Sequence, residues 1–303
     1  MSFTIKELKL HDGHMMKATV FGNGSQPMVL LQGLSFEPAW KTAMITEGRF
    51  KAYEDRFTFY LIDRKEGFGE HYTIEQMAAD TAEGMRLLGI GGAEQNTLPD
   101  AALDSPAPIV YGVSQGGMIA LSLAMDYPEL VGRLIVCVTS ASCPDKQVPA
   151  ANQLAENSSP AEYPEINSKP IFTNWLRLAR SGEIYNLALD TIKHVYSQAY
   201  VERYDRAIDH LIRTYDKKLC EPFGVLTEAC LEFDREKELS KINCPTLVIG
   251  ATNDKIFGVA PSKIIAEKTG GKLMILEGSH AIYEENPQCQ IEIMNFALKG
   301  LAQ

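Results

Sequence analysis

Residues 108–120 read Pro-Ile-Val-Tyr-Gly-Val-Ser-Gln-Gly-Gly-Met-Ile-Ala, and this stretch limits the folds open to the chain more than any other. A short apolar run of strand type stops at Gly112. Beyond Ser114 and the Gly116-Gly117 pair, residues 118–124 take up an alanine-rich helical spacing. The sequence therefore predicts strand, tight turn and helix, with a serine at the apex. Glycines two before and two after that serine let strand and helix pass close together while the serine takes a sparsely populated backbone conformation. Its oxygen then sits at a helix N-terminus, where N–H groups and the macrodipole favour developing negative charge. With 23 glycines in the chain, Gly-x-Ser-x-Gly by itself decides little. Its partners must come from elsewhere.

The neighbouring segments alternate in kind. Residues 27–31, 57–62, 134–138 and 244–250 are further apolar runs. Unalternating runs of this sort belong to strands buried on both faces of a parallel sheet. Before them, residues 3–10 and 14–21 flank Asp12-Gly13, a hairpin signal. Thr73-Ile74-Glu75-Gln76 is a capping box that opens a helix, and Asn286-Pro287 opens the last one. This alternation predicts an α/β fold with a mostly parallel central sheet flanked by helices. It lapses between about residue 145 and 240, where a proline-containing stretch gives way to helical segments. The expected division is a core of residues 1–144 and 241–303 with a helical cap inserted at 145–240.

Composition narrows the function. A net charge of −10 argues against nucleic-acid or anionic-membrane partners, since phosphate binding needs a basic surface. No apolar run approaches the length of a membrane span and no signal peptide is visible, so a cytoplasmic location is expected. The six cysteines show no Cys-x-x-Cys spacing and read as reduced thiols. His11 and His14 could be taken for a metal pair, but without a third ligand they read as hairpin residues, and no metal or cofactor is expected.

Ligands of such sheets bind beyond the C-terminal strand ends, where Gln32-Gly33-Leu34, Ser114-Gln115, Asp254 and His280 all fall. A serine hydroxyl needs a base. Of the six histidines, His280 alone sits in a Gly-Ser-His turn after a late strand. Asp254, directly after the preceding strand, is the acid that would fix its tautomer, with Asp145 in reserve and Asp234 a weaker third. The N–H groups of Leu34 and Gln115 are the expected oxyanion donors, Gly33 allowing close backbone approach. Gln32, Gly33 and Trp175 are put forward for substrate contact. Phe172, Tyr185, Leu187 and Tyr196 either line an acyl pocket or pack the cap on itself.

On Gly112-Val113-Ser114-Gln115-Gly116-Gly117, Leu61-Ile62-Asp63-Arg64 with Gly67 and Gly69, residues 245–250 with Asp254, and Gly278-Ser279-His280-Ala281, the chain resembles the α/β-hydrolase family. The resemblance implies a catalytic triad of Ser114, Asp254 and His280, with residues 145–240 as a helical lid. It also implies a small-molecule acyl substrate, an ester, lactone or thioester, and it leaves room for a homodimer. The elbow is similar to that of small esterases and lactonases. Gln32-Gly33 stands where many members have His-Gly. Acyl transfer, carbon–carbon bond hydrolysis and a non-catalytic receptor are the competing expectations on the same fold.

Overall fold

The buried apolar runs become the centre of one sheet. The computed structural model describes residues 3–91, 106–143, 163 and 166–300. Among them, β1 (Thr4–Lys9), β2 (Met15–Gly22), β3 (Gln26–Leu31), β4 (Phe57–Ile62), β5 (Ile109–Val113), β6 (Arg133–Cys137), β7 (Thr246–Ala251) and β8 (Lys272–Leu276) pair in the order β1-β2-β4-β3-β5-β6-β7-β8. Only β2 runs against its neighbours, so the sheet is mostly parallel. Gly13, at φ +87°, turns the hairpin between β1 and β2.

The strands are wrapped on both faces. The helices are α1 (Ala43–Phe50), α2 (Ile74–Leu87), α3 (Gln115–Asp126), α4 (Lys169–Ser181), α5 (Ile184–Val195), α6 (Gln198–Arg203), α7 (Asp205–Ile212), α8 (Cys220–Glu232), α9 (Ala260–Thr269), α10 (Ile282–Glu285) and α11 (Pro287–Leu298). Alternate residues of β3 divide between two cores. Val29 and Leu31 pack with α2, α3 and α9, while Met28 and Leu30 pack with α1 and α11. Each such side chain contributes about 1.5–3 kcal/mol by leaving water, which is why every residue of β3, β5 and β7 is buried. The Thr73–Gln76 capping box forms as expected, and the Asn286 side chain accepts from Gln288 N to start α11. The stretch between β3 and β4 is less regular: 3-10 turns at Ala39–Thr42 and Lys51–Tyr53 flank a short α1.

Helices α4–α8 lie between β6 and β7 without a strand among the described residues. They are not self-contained. Trp175, Leu178, Phe223 and Leu226 of α4 and α8 join the same apolar cluster as α2 and α3. A separate small cluster, Ala188, Ile208 and Ile212, holds α5 to α7.

The chain order reverses direction across the sheet between β3 and β5, since β4 lies on the far side of β3. Such a switch point leaves a crevice at the C-terminal strand ends. Gly33-Leu34 follow β3 and Ser114 follows β5, so both border that crevice.

Candidate active site

Ser114 is held at φ 52°, ψ −121°, a region costly for any residue but glycine. Close packing enforces it. A Cβ on Gly112 would lie 2.2 Å from Gly116 O, and one on Gly116 would lie 2.1 Å from Leu31 O. No side chain larger than hydrogen fits at either place, so α3 descends directly against β3 and β5. The Ser114 N–H donates to Cys137 O at 3.0 Å, and Thr139 Oγ1 donates to Ser114 O at 2.7 Å. Between those two residues Val138 also takes a positive φ of 45°, an unusual state for a β-branched residue. Its N–H donates to Ile249 O at 2.8 Å, so the end of β6 is bent and held from β7. Residue 138, read as the end of the strand, has instead left it.

Three predicted residues come together. His280 Nε2 lies 2.9 Å from Ser114 Oγ, and His280 Nδ1 lies 2.9 Å from Asp254 Oδ1. A carboxylate only accepts, so Nδ1 carries the proton toward Asp254 and Nε2 is left to accept from the serine. Asp254 and His280 are both 3% exposed. Asp254 Oδ1 also accepts from Ile256 N at 2.8 Å and Phe257 N at 3.2 Å, which fixes the carboxylate in the turn after β7. Oδ2 of Asp254 has no partner among the described residues.

Of the reserve acids, Asp234 does not share this position. Asp234 is exposed and forms an isolated bridge with Ser142, while Asp145 lies outside the described residues. His11 contacts Glu83 and His14 contacts Asp12, each accounting for its own environment.

Gly33 abuts the nucleophile: a Cβ there would lie 3.1 Å from Ser114 Cβ and 3.7 Å from Ser114 Oγ. Leu34 lines the chamber in front of Ser114. Gln115 is the first residue of α3, and the first N–H groups of a helix have no partner within it. The Gln32 side chain donates to Glu37 O at 3.3 Å, bracing its own loop, and Gln32 lines a cavity beside the site.

Ser114 and His280 open on a chamber of about 40 Å³, walled by Phe172, Trp175 and Cys230 from the helices after β6. A second cavity of about 300 Å³ shares Gly33, Leu34, Thr191, Val195 and Tyr283 with it. Its outer part is lined by Ile45, Arg49, Tyr196 and Glu284. Arg49 Nη2 pairs with Glu284 at 2.9 Å, and that carboxylate raises the Arg49 pKa against the opposing effect of burial. Trp175 walls the chamber and packs the helices at once, edge-on to Phe172 with Nε1 donating to Asp190 at 2.8 Å. Phe172 and Tyr196 also reach a cavity. Leu187 is buried in the main core, and Tyr185 bonds Asp209 instead.

Two features were given no function in the reading of the sequence, although Arg64 belongs to a motif that carries the resemblance. One is the contact of α5 with the base: Ala281 N–H, next to His280, donates to Val195 O at 2.9 Å. Glu285 reinforces it, accepting from Ser197 N and Oγ and from Ser279 Oγ. The other is Arg64, whose guanidinium bonds the carbonyls of Gln32 and Gly33 and the side chain of Gln115. A signal for Arg64 existed: a charged residue placed directly after a buried strand, at the end of the sheet where ligands bind.

Comparison with known proteins agrees with this architecture. Residues 96–287 match the family model described as the alpha/beta hydrolase fold. A curated relative, 3-oxoadipate enol-lactonase 2 of Acinetobacter baylyi, is 24% identical over 187 residues, which span 61% of this chain and 61% of that relative. Among solved structures, the enol-lactonase from Burkholderia xenovorans superposes with a TM-score of 0.74 at 19% identity, covering 97% of this chain and 100% of that one. A thermophilic esterase from Thermogutta terrifontis gives 0.70 at 19% identity, with 98% of each chain covered.

Proposed function

Because the chain belongs to the α/β-hydrolase family, we propose that it hydrolyses a small or medium carboxylic ester, lactone or thioester through an acyl-enzyme on Ser114. The observation that carries this reading is the unbroken chain from Ser114 Oγ through His280 to Asp254, each step 2.9 Å, with Ser114 and His280 lining the small chamber. The named relatives, an enol-lactonase and an esterase, favour the ester and lactone classes.

In the proposed reaction His280 Nε2 takes the Ser114 proton as Oγ attacks the carbonyl carbon. Asp254 keeps Nδ1 protonated and offsets the imidazolium charge. The backbone N–H groups of Leu34 and Gln115 receive the oxyanion, the second with the positive end of α3 behind it. His280 then returns the proton to the leaving alkoxide, or to the ring oxygen that stays tethered in a lactone. Water, deprotonated by the same imidazole, clears the acyl group. The 40 Å³ chamber suits a compact group at the scissile carbonyl, and the larger cavity takes the remainder of the substrate. All six cysteines are free thiols, which supports a reducing, cytoplasmic setting.

A fluorophosphonate probe tests the reading directly. The intact protein should form one adduct, and Ser114→Ala should form none. A panel of p-nitrophenyl esters and lactones of graded size, with and without an alcohol acceptor, then identifies the acyl group and separates hydrolysis from transfer. No adduct and no turnover across the panel would overturn the proposal.

A further inference from the structure

Arg64 takes no part in the reaction just described, yet it grips the parts that would form the oxyanion pocket. It follows Asp63 at the end of β4. Its Nη2 donates to Gln32 O at 3.1 Å, Gly33 O at 3.1 Å and Gln115 Oε1 at 2.6 Å, so two hydrogens serve three acceptors. Burial pulls its pKa down while Asp63 pushes it up, and an arginine in such a place stays charged.

Peptide geometry gives this grip a consequence. In a planar trans peptide the C=O and the following N–H point in opposite directions. Holding Gly33 C=O on the guanidinium therefore turns the Leu34 N–H away from Arg64. The other side of this peptide is where Gly33 touches Ser114 and Leu34 lines the chamber. A charged donor on the carbonyl also polarises the peptide and strengthens its N–H as a donor. The remaining bond reaches further. Gln115, held through Oε1 by Arg64, donates from Nε2 to Leu226 O at 2.6 Å and Cys230 Sγ at 3.0 Å, both on α8. Burial pushes the Cys230 thiol up to about 12, so it stays neutral and can accept.

We propose that Arg64 is the positioning residue of the oxyanion pocket, fixing the Gly33–Leu34 peptide in its donor orientation and coupling it through the Gln115 side chain to the seating of α8. This rests on the hydrolase reading of Ser114. Were Arg64 merely a strut, its loss would lower the melting temperature and leave the chemistry of the folded fraction alone.

The test compares Arg64→Met, Arg64→Lys, Gln115→Leu and the double variant Arg64→Met/Gln115→Leu. Each is read by kcat and KM on p-nitrophenyl butyrate, by the rate of fluorophosphonate labelling, and by melting temperature. Arg64→Met should lose about 10- to 100-fold in kcat and in labelling rate together, with KM within about twofold, because a donor is misaligned rather than deleted. Arg64→Lys should lose about threefold or more, since a shorter stem ending in a tetrahedral ammonium does not reproduce the reach and fixed donor geometry of the guanidinium. The double variant should fall no further than Arg64→Met, because both lie on one relay. Independent, multiplying losses would overturn the coupling to α8. Wild-type kcat and labelling in folded Arg64→Met would overturn the positioning role. Should that variant not fold, wild-type rates in Arg64→Lys would do the same. If the unaltered protein takes no label at all, the hydrolase reading fails. If it labels normally and the Arg64 variants match it, only this inference fails.

Discussion

The strand-end loops and the helices after β6 meet at one chamber, but they reach it by different means. Ser114, Gly33 and Asp254 follow the ends of buried parallel strands by one, two and three residues, and hydrogen bonds to the backbone of these turns hold them. Phe172, Trp175 and Val195 arrive from helices through side-chain packing and one main-chain bond. The first group should tolerate almost no change. The second should tolerate change and answer with altered selectivity.

The largest effects should fall on the strand-end group. Ser114→Ala or His280→Ala should lower kcat about 10⁴-fold or more, and Asp254→Asn about 10³- to 10⁴-fold by presenting the wrong tautomer, with melting temperatures near that of the unaltered protein. Steady-state kinetics on a p-nitrophenyl ester checks all three. Next comes Gly116→Ala, whose methyl group would sit 2.1 Å from Leu31 O. Its expected cost is about 3 kcal/mol, measured by urea unfolding, because backbone has to move against backbone. Gly48→Ala provides the contrast. That glycine lies within α1 with nothing inside 4 Å of the added atom, so the change should stabilise by about 0.5–1 kcal/mol.

Smaller effects belong to the helical side. Trp175→Phe keeps a ring against Phe172 and loses the bond to Asp190, costing about 1 kcal/mol and widening the chamber. Its kcat/KM profile across esters of graded size should shift toward larger groups near the carbonyl. An unchanged profile would remove Trp175 from the substrate wall. The smallest effect is a pH dependence in the segment returning to β7. Arg235 and Lys241 pull the Glu238 carboxyl down from 4.5 to about 2. A lowered folded-state value stabilises above about 4.5, and the benefit is lost as pH falls toward about 2. Glu238→Gln should therefore melt slightly lower than the unaltered protein at pH 7, the gap closing by about pH 2.

The same contrast explains what could be read in advance. The runs at β3, β5, β6 and β7, the capping box at Thr73 and the elbow are one-dimensional patterns, since burial and capping act over a few residues. His280 and Asp254 were found because a parallel sheet brings all its C-terminal ends to one side, turning chain order into proximity. The Arg64–Gln115–Leu226 relay was not legible. Its members lie 51 and 111 positions apart and are joined by rotamers, not by period. Val138 gave no sign either: valine suits a strand, and only the elbow beneath it and β7 beside it force its positive φ. Tyr185 and Trp175 look alike in sequence as helix-spaced aromatics, yet one faces Asp209 and the other walls the chamber.

The bond from Ala281 N to Val195 O joins the last residue of α5 directly to the turn that carries His280. Glu285 holds Ser197 and Ser279 beside it, so the end of α5 and the turn of the base are tied by side chains as well as by backbone. Ile45, 60% exposed, and Tyr215 line the larger cavity, which shares Val195 with the chamber. Val195 thus borders both cavities and anchors the turn of His280, so the shape of the pocket and the placement of the imidazole are set together.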